Sequence, residues 1–274
     1  YAAFGEATYS LTETVRVTAG GRFSRDQREG EGQTAFGVPF SADEDYDNFD
    51  WKLGAEMDLG ADAMAYATIQ TGYQPGTYNA FPATDELSNL VQSATMTAYT
   101  AGIKSRFLDA RLQVNDEIFY YDYEDLLVQS FNLNTALLTT FNAAQTTIWG
   151  NQIDVLFAPT GRDRLNLSVG YLNADYDDFM VLDGVNMGIS NRDFGGYPLQ
   201  NAPEWTVSAG YQHEFPAGSG RVLARVETRY EDSFWGTFAQ FRGTGQPDYF
   251  KTDASVTYCA PDDRWSAGLW VPEP

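Results

Sequence analysis

The chain has 274 residues, 43% of them hydrophobic and 15% aromatic, with 25 glycines and a mean hydropathy of −0.37. Its formal net charge of −21 excludes a nucleic-acid binder, because neutralising phosphates takes a basic stripe. No apolar run approaches the roughly 20 residues of a membrane-crossing helix, and a single cysteine, Cys259, excludes an internal disulfide.

Apolar and polar residues alternate through segments at 2–10, 14–25, 48–58, 63–73, 97–107 and 111–123. The pattern continues at 145–157, 164–176, 204–215, 221–234, 249–259 and 264–271. Period two means β-strand, because successive side chains point to opposite faces of a sheet. One face carries Val15, Val17, Ala19 and Phe23, then Trp51, Leu53, Ala55 and Met57, then Tyr99, Ala101, Ile103 and Phe107. The hairpin at 204–235 shows the pattern best: Trp205, Val207, Ala209, Tyr211 and Phe215 alternate with polar or small residues. Its second strand sets Val222, Ala224, Val226 and Tyr230 against Arg221, Arg225, Glu227, Arg229 and Glu231. Segments 63–73 and 111–123 have Ala, Tyr and Phe in both phases, so their faces stay ambiguous. Strands of soluble sheets run about 5–6 residues, whereas these reach the length a tilted strand needs to cross a bilayer. The reading is all-β: an antiparallel transmembrane β-barrel meander of about twelve strands, lipid outside and water inside.

The connections alternate between short and long. Leu11–Glu13, Leu59–Asp62, Leu108–Ala110, Pro159–Asp163, Pro216–Gly220 and Ala260–Asp263 are short and rich in turn residues. The long ones fall at about 26–47, 74–96, 124–144, 177–203 and 235–248. Short periplasmic turns and long extracellular loops are the mark of a bacterial outer-membrane barrel. Acidic groups such as Asp43-Glu44-Asp45 and Glu124-Asp125 read as a solvated rim, since their spacing lacks the glycine and terminal glutamate of an EF-hand. No metal ligand set and no cofactor motif is expected. No export signal precedes Tyr1-Ala2-Ala3-Phe4, so the chain is expected to be part of a longer exported protein.

Several stretches resemble one family. Thr71-Gly72-Tyr73-Gln74-Pro75-Gly76-Thr77-Tyr78-Asn79 resembles the Gly-(Tyr/Phe)-x-Pro-Gly-x-(Tyr/Phe)-Asn turn of TonB-dependent receptors. Thr97-Ala98-Tyr99-Thr100-Ala101-Gly102-Ile103-Lys104-Ser105 followed by Phe107-Leu108-Asp109 is similar to a hairpin of theirs, as is the strand from Phe119 to Leu126. Asn142-Ala143-Ala144 with Gly150, and Ala202-Pro203-Glu204-Trp205-Thr206, resemble that family's C-terminal barrel in the same order. The resemblance implies a barrel of about 22 strands closed by an N-terminal plug, importing a scarce nutrient such as a ferric siderophore, vitamin or glycan with energy from the TonB complex. Residues 1–274 are then expected to be a partial barrel, with the plug, the first strands and the last strand absent. The implied partners are outer-membrane lipid, a small-molecule ligand and, through the plug, TonB.

Aromatic and polar rim residues are the candidates for ligand contact: Tyr73, Tyr78, Asn79, Phe81, Trp235 and Phe238, with Phe234 beside them. Rings at the membrane interface explain such residues as well as stacking on a ligand does. Arg221, Arg225, Glu227 and Arg229 are expected to face the lumen or plug, pairing with each other and with neighbouring strands. A passive porin is the alternative. A barrel phospholipase is a weaker one, since the single histidine, His213, falls beside a short turn and no Gly-x-Ser-x-Gly elbow is present. No catalytic residue is assigned. Cys259 reads as a small buried residue on the lumen phase.

Overall fold

A computed structural model describes residues 1–33, 37, 39–79, 90–132, 137–182, 191–240 and 242–271. In chain order its strands begin with β1 (Ala2–Ser10), β2 (Val15–Gln33), β3 (Pro39–Asp58), β4 (Ala63–Gln74), β5 (Thr77–Tyr78) and β6 (Leu90–Val91). Next come β7 (Ala94–Phe107), β8 (Leu112–Asn132), β9 (Leu137–Phe157), β10 (Asp163–Asp178), β11 (Met180–Leu182) and β12 (Asn191–Asp193). The last six are β13 (Trp205–Ala217), β14 (Gly220–Glu231), β15 (Phe234–Trp235), β16 (Gly245–Gln246), β17 (Tyr249–Cys259) and β18 (Ser266–Val271). Twelve of these make one sheet in the order β1-β2-β3-β4-β7-β8-β9-β10-β13-β14-β17-β18. Each is antiparallel to its neighbours, as the meander expectation required. The other three pairs, β5-β6, β11-β12 and β15-β16, are small hairpins carried on the long connections.

Register shows why one face is apolar. The row Val15, Met57, Ala65 and Ile103 is continuous across four strands, as is the row Ala19, Leu53, Ile69, Tyr99 and Tyr120. Register also resolves the two ambiguous strands. On β4, Ala65, Ala67 and Ile69 share the apolar face while Tyr66 and Gln70 take the polar one. On β8, Val114, Ile118 and Tyr120 point with the apolar series, and Glu117, Phe119 and Tyr121 point the other way. Tyr66 donates to Glu117 across the polar face, and Phe119 stacks on Tyr121 at 4.9 Å.

The apolar face is exposed along its length and bounded by rings at both ends. Near the long loops Trp149, Tyr171 and Trp205 form a chain of contacts at 5.4 and 4.8 Å, with Tyr230 and Phe250 at 4.8 Å further round. Near the short turns His213 and Phe215 lie 4.3 Å apart, and Tyr258 and Trp265 5.4 Å apart. Two aromatic girdles flanking an apolar band are what a membrane barrel wall requires.

Two of the stretches read as loops are instead paired strand. Residues 26–33 and 39–46 continue the β2–β3 ladder from Asp26↔Tyr46 out to Gln33↔Pro39, and 124–132 and 137–145 continue β8–β9 out to Asn132↔Leu137. β8 and β9 have 21 residues each, about twice what a tilted strand uses in the bilayer. The ribbons therefore stand well clear of the membrane. They escaped the alternation test for two reasons: β2–β3 beyond Asp26 is polar on both faces, and β8 beyond Glu124 sets Leu126, Leu127 and Val128 in a row, which breaks the period of two; the ladder itself satisfies the backbone. Cross-strand charges add support, with Arg25 at 2.5 Å from Asp45 and 3.6 Å from Asp47. The short connections are tight. In the turn after β7, Leu108, Asp109 and Ala110 all have positive φ (56°, 55° and 62°).

Candidate functional site

A wall one sheet thick has no central core, and among the described residues most buried side chains collect at the long-loop end, with Ser105, Cys259 and Ala260 near the short turns. Tyr46 and Asn48 sit on the outer part of β3, facing Asp26 and Ser24 across the ladder. Tyr73 is the penultimate residue of β4 and Tyr78 lies on β5. The hydroxyls of Tyr46, Tyr73 and Tyr78 and the side-chain nitrogen of Asn48 are all shut off from solvent, with no hydrogen-bond partner among the described residues. Leaving one such group unpaired costs about 1–3 kcal/mol. Four in one region ask for an explanation.

Gly76 shows how closely the turn packs on this cluster. A Cβ there would lie 2.5 Å from the Tyr46 hydroxyl oxygen and nearer still to the Val91 carbonyl oxygen. This is the physical content of the Pro75-Gly76 turn: the backbone must pass directly over a phenol. Tyr78 also lies over Gly30 of β2, where its Cδ2 would be 3.7 Å from an added Cβ. Burial, then the nearby Glu44, pushes the Tyr46 phenol above its ordinary range, and the Arg28 guanidinium offsets part of this. Burial, then Glu44, Tyr46 and Asp43, raises the Tyr78 phenol likewise. Both therefore hold their protons and remain donors.

Asn79 has a different task. Its Nδ2 donates to the Thr140 carbonyl at 2.9 Å, and its Oδ1 accepts from the Thr140 N–H at 2.7 Å. The amide copies a strand rung and ties the β5 hairpin to β9. Asn142 does the same in the opposite direction, accepting from the Gln92 N–H at 2.9 Å and donating to the Gln92 carbonyl at 3.0 Å. Two asparagines thus hold the loop after β4 across the β8–β9 ribbon.

The remaining rim candidates divide. Phe238 is 2% exposed, packed edge-on against Phe179 and Phe194 at 5.0 Å each. With Val128 and Tyr176 they form a core that joins the β8 ribbon to the two loops beyond β10 and β14. Its ring therefore meets protein. Arg192 stacks over Phe194 at 4.8 Å and donates to the Tyr197 hydroxyl at 3.0 Å, closing this core on one side. Trp235 is half-buried on the β15–β16 hairpin, its carbonyl accepting from the Asn201 N–H at 2.7 Å. Phe81 lies outside the described residues.

On the polar face, β14 carries Arg221, Arg225, Glu227 and Arg229 in one phase. Arg225 pairs with Glu227, and Arg229 with Glu231 at 2.8 Å. Arg221 reaches Asp263 at 2.6 Å and Glu214 at 3.6 Å. A stronger network, missed in the sequence, joins Arg16 to both oxygens of Asp58 at 2.7 and 2.8 Å and to Glu56 at 3.1 Å. Tyr46 and Asn48 were missed as well, one because it fell in a supposed loop and the other because polar strand residues carry no signal by themselves.

His213 faces outward, opposite Asp163 and Ala224. Its Nδ1 lies 2.6 Å from Asp163, which also accepts from the Tyr211 hydroxyl at 2.7 Å. The cross-strand neighbours of the ring thus supply a carboxylate and a methyl group, and no nucleophile. Cys259 is buried and paired in register with Arg221.

A family model described as TonB dependent receptor-like, beta-barrel matches residues 1–271. The chain superposes on the ferric yersiniabactin uptake receptor of Yersinia pestis with a TM-score of 0.80 at 18% identity, over 99% of this chain and 39% of that one. For the siderophore receptor PiuA of Acinetobacter baumannii the TM-score is 0.77 at 15% identity, covering 95% and 37%. For the alcaligin outer-membrane receptor of Bordetella pertussis it is 0.65 at 15%, covering 99% and 42%. The chain spans about two fifths of the length of these structures. With its girdled antiparallel wall and a matching family model over nearly its whole length, the chain belongs to the TonB-dependent receptor β-barrel family, whose members reside in the outer membrane of Gram-negative bacteria.

Proposed function

We propose that the protein containing this chain imports a small-molecule nutrient of the siderophore, vitamin or glycan kind across the outer membrane, driven through TonB. The observation that carries the reading is the group of orphaned donors at the rim. The phenols of Tyr46, Tyr73 and Tyr78 and the amide of Asn48 are held together at the long-loop end without partners. A ligand rich in acceptor oxygens supplies those partners once its entry parts the Pro75-Gly76 turn from the phenols, and the rings add stacking area. Trp235 is a separate rim aromatic on the β15–β16 hairpin, and Asn79 ties the hairpin that carries Tyr78 to β9. In this reading Arg221, Arg225, Glu227 and Arg229 line the lumen against the plug, already neutralised by their own carboxylate partners.

The test is uptake by cells expressing the full-length protein, supplied with a panel of labelled ferric siderophores, cobalamin and oligosaccharides. Uptake of one class should require the proton-motive force and TonB. It should weaken at least tenfold in affinity when Tyr46 and Tyr78 are both changed to Phe. Uptake that persists without TonB supports a passive porin instead.

A further inference from the structure

Between the two girdles the outward face of the described strands carries a threonine pair, Thr228 with Thr252 at 3.0 Å, and one charged side chain. On β8 the outward series runs Leu112, Val114, Asp116, Ile118, Tyr120, so a carboxyl stands at its centre. Asp116 lies four residues from Leu112, about 14 Å along the strand. At a tilt of roughly 40° that is about 10 Å above the short-turn end of an apolar band about 25 Å tall. No lipid headgroup reaches that depth. Asp116 is exposed, and its Oδ1 accepts from Asn151 Nδ2 of β9 at 2.6 Å. The same nitrogen donates to the Glu117 carbonyl at 3.0 Å, which uses up the amide's donors. What remains free among the described residues is two acceptors, the second carboxyl oxygen and Asn151 Oδ1.

Ionisable side chains facing hydrocarbon are costly and mark a function by default. Beside this pair the wall is hollowed. Asn151 stands opposite Ile118, and the same row continues through Ala101, Ala67 and Ala55. These alanines floor a groove of about 610 Å³, walled by Leu53, Tyr99 and Tyr120. Small residues next to a polar group are how membrane-embedded surfaces approach closely and bond.

We propose that this patch docks another membrane-spanning protein, whose buried segment sets a Lys or Arg on Asp116 and packs apolar side chains into the alanine groove. Charge complementarity selects that occupant. Among the described residues the outward band between the girdles carries no Lys or Arg, so the same face of a second copy has no cation to offer. Both acceptors are met by one guanidinium or ammonium donor set.

The test uses the full-length protein in its native outer membrane, with a benzophenone amino acid placed at Ile118, beside the pair, or at Val256, on a distant arc. Irradiation should give one discrete protein adduct at Ile118 and none at Val256. Sequencing the crosslinked peptide should find a membrane-spanning segment with Lys or Arg near the attachment point. Asp116→Asn and Asp116→Leu should each cut the yield at least tenfold, as should replacing the partner's cation by Gln. Heat-modifiable mobility reports whether each variant has folded, and the adduct map with Asp116 intact stands without them. Lipid adducts alone, an adduct to a second copy, a partner segment without a basic residue, or a yield indifferent to Asp116→Asn in folded protein would each overturn the proposal.

Discussion

Val226 and Arg225 are consecutive on β14 and point to opposite faces, so they test the wall's orientation within one strand. Val226 pairs with Tyr211 and Ala254 on the apolar side and is 42% exposed there. It lies six residues above Gly220, which at about 3.4 Å per residue and a roughly 40° tilt places it about 16 Å up a band about 25 Å tall. Val226→Arg puts a cation close to mid-hydrocarbon, for a cost of about 2–4 kcal/mol. That is a shift of about thirty- to nearly a thousandfold in the folding equilibrium. Arg225→Val removes an exposed pair with Glu227 and costs about 0–1 kcal/mol. The assay is reversible urea unfolding of the full-length protein in phospholipid vesicles, followed by tryptophan emission. Equal costs for the two variants, or a larger cost for Arg225→Val, would refute the face assignment and with it the lipid-facing reading of every neighbouring strand.

Gly76→Ala should loosen the rim by roughly 1–3 kcal/mol through overpacking, because the new methyl meets the Tyr46 hydroxyl and the Val91 carbonyl; faster proteolysis between residues 75 and 93 is the measurement. Asn79→Ala should leave the Thr140 N–H and carbonyl unmatched, at about 1–3 kcal/mol, and hydrogen exchange at Thr140 should quicken while that of β9 near Phe157 stays unchanged. Tyr46 and Tyr78 have phenols raised by burial and by Glu44. The stability they contribute is therefore complete below the ordinary tyrosine value of about 10 and is lost as pH rises through the raised folded values. Phenolate absorbance in Tyr46→Phe and Tyr78→Phe variants should show the missing groups titrating above the bulk of the tyrosines, and titration with the bulk would contradict the burial argument.

The strand content and the sense of the wall were legible without coordinates. A spanning strand must put an apolar side chain on every second position, and Trp205, Val207, Ala209 and Tyr211 do so with nothing in between to blur the phase. Connection length was legible for the same reason: Gly218-Ser219 between β13 and β14 leaves room for nothing but a turn. The rim was not. A ribbon such as β2–β3 beyond Asp26 is held by backbone rungs and by pairs such as Arg25 with Asp45, and these depend on which residues come opposite each other. Nothing in the local order of Asp43-Glu44-Asp45-Tyr46 distinguishes that ribbon from a loop. Phe238 and Asn79 had the composition of ligand contacts, yet one fills a core shared by three segments and the other copies a strand rung on Thr140. Asp116 makes the same point on the outer wall. Its segment was ambiguous in phase, and only the register against Ile103 and Ile153 turned it toward lipid. Periodicity is a property of one strand and can be read along the chain. Partners, burial and facing are properties of pairs of strands, fixed by the ladder that brings distant residues side by side.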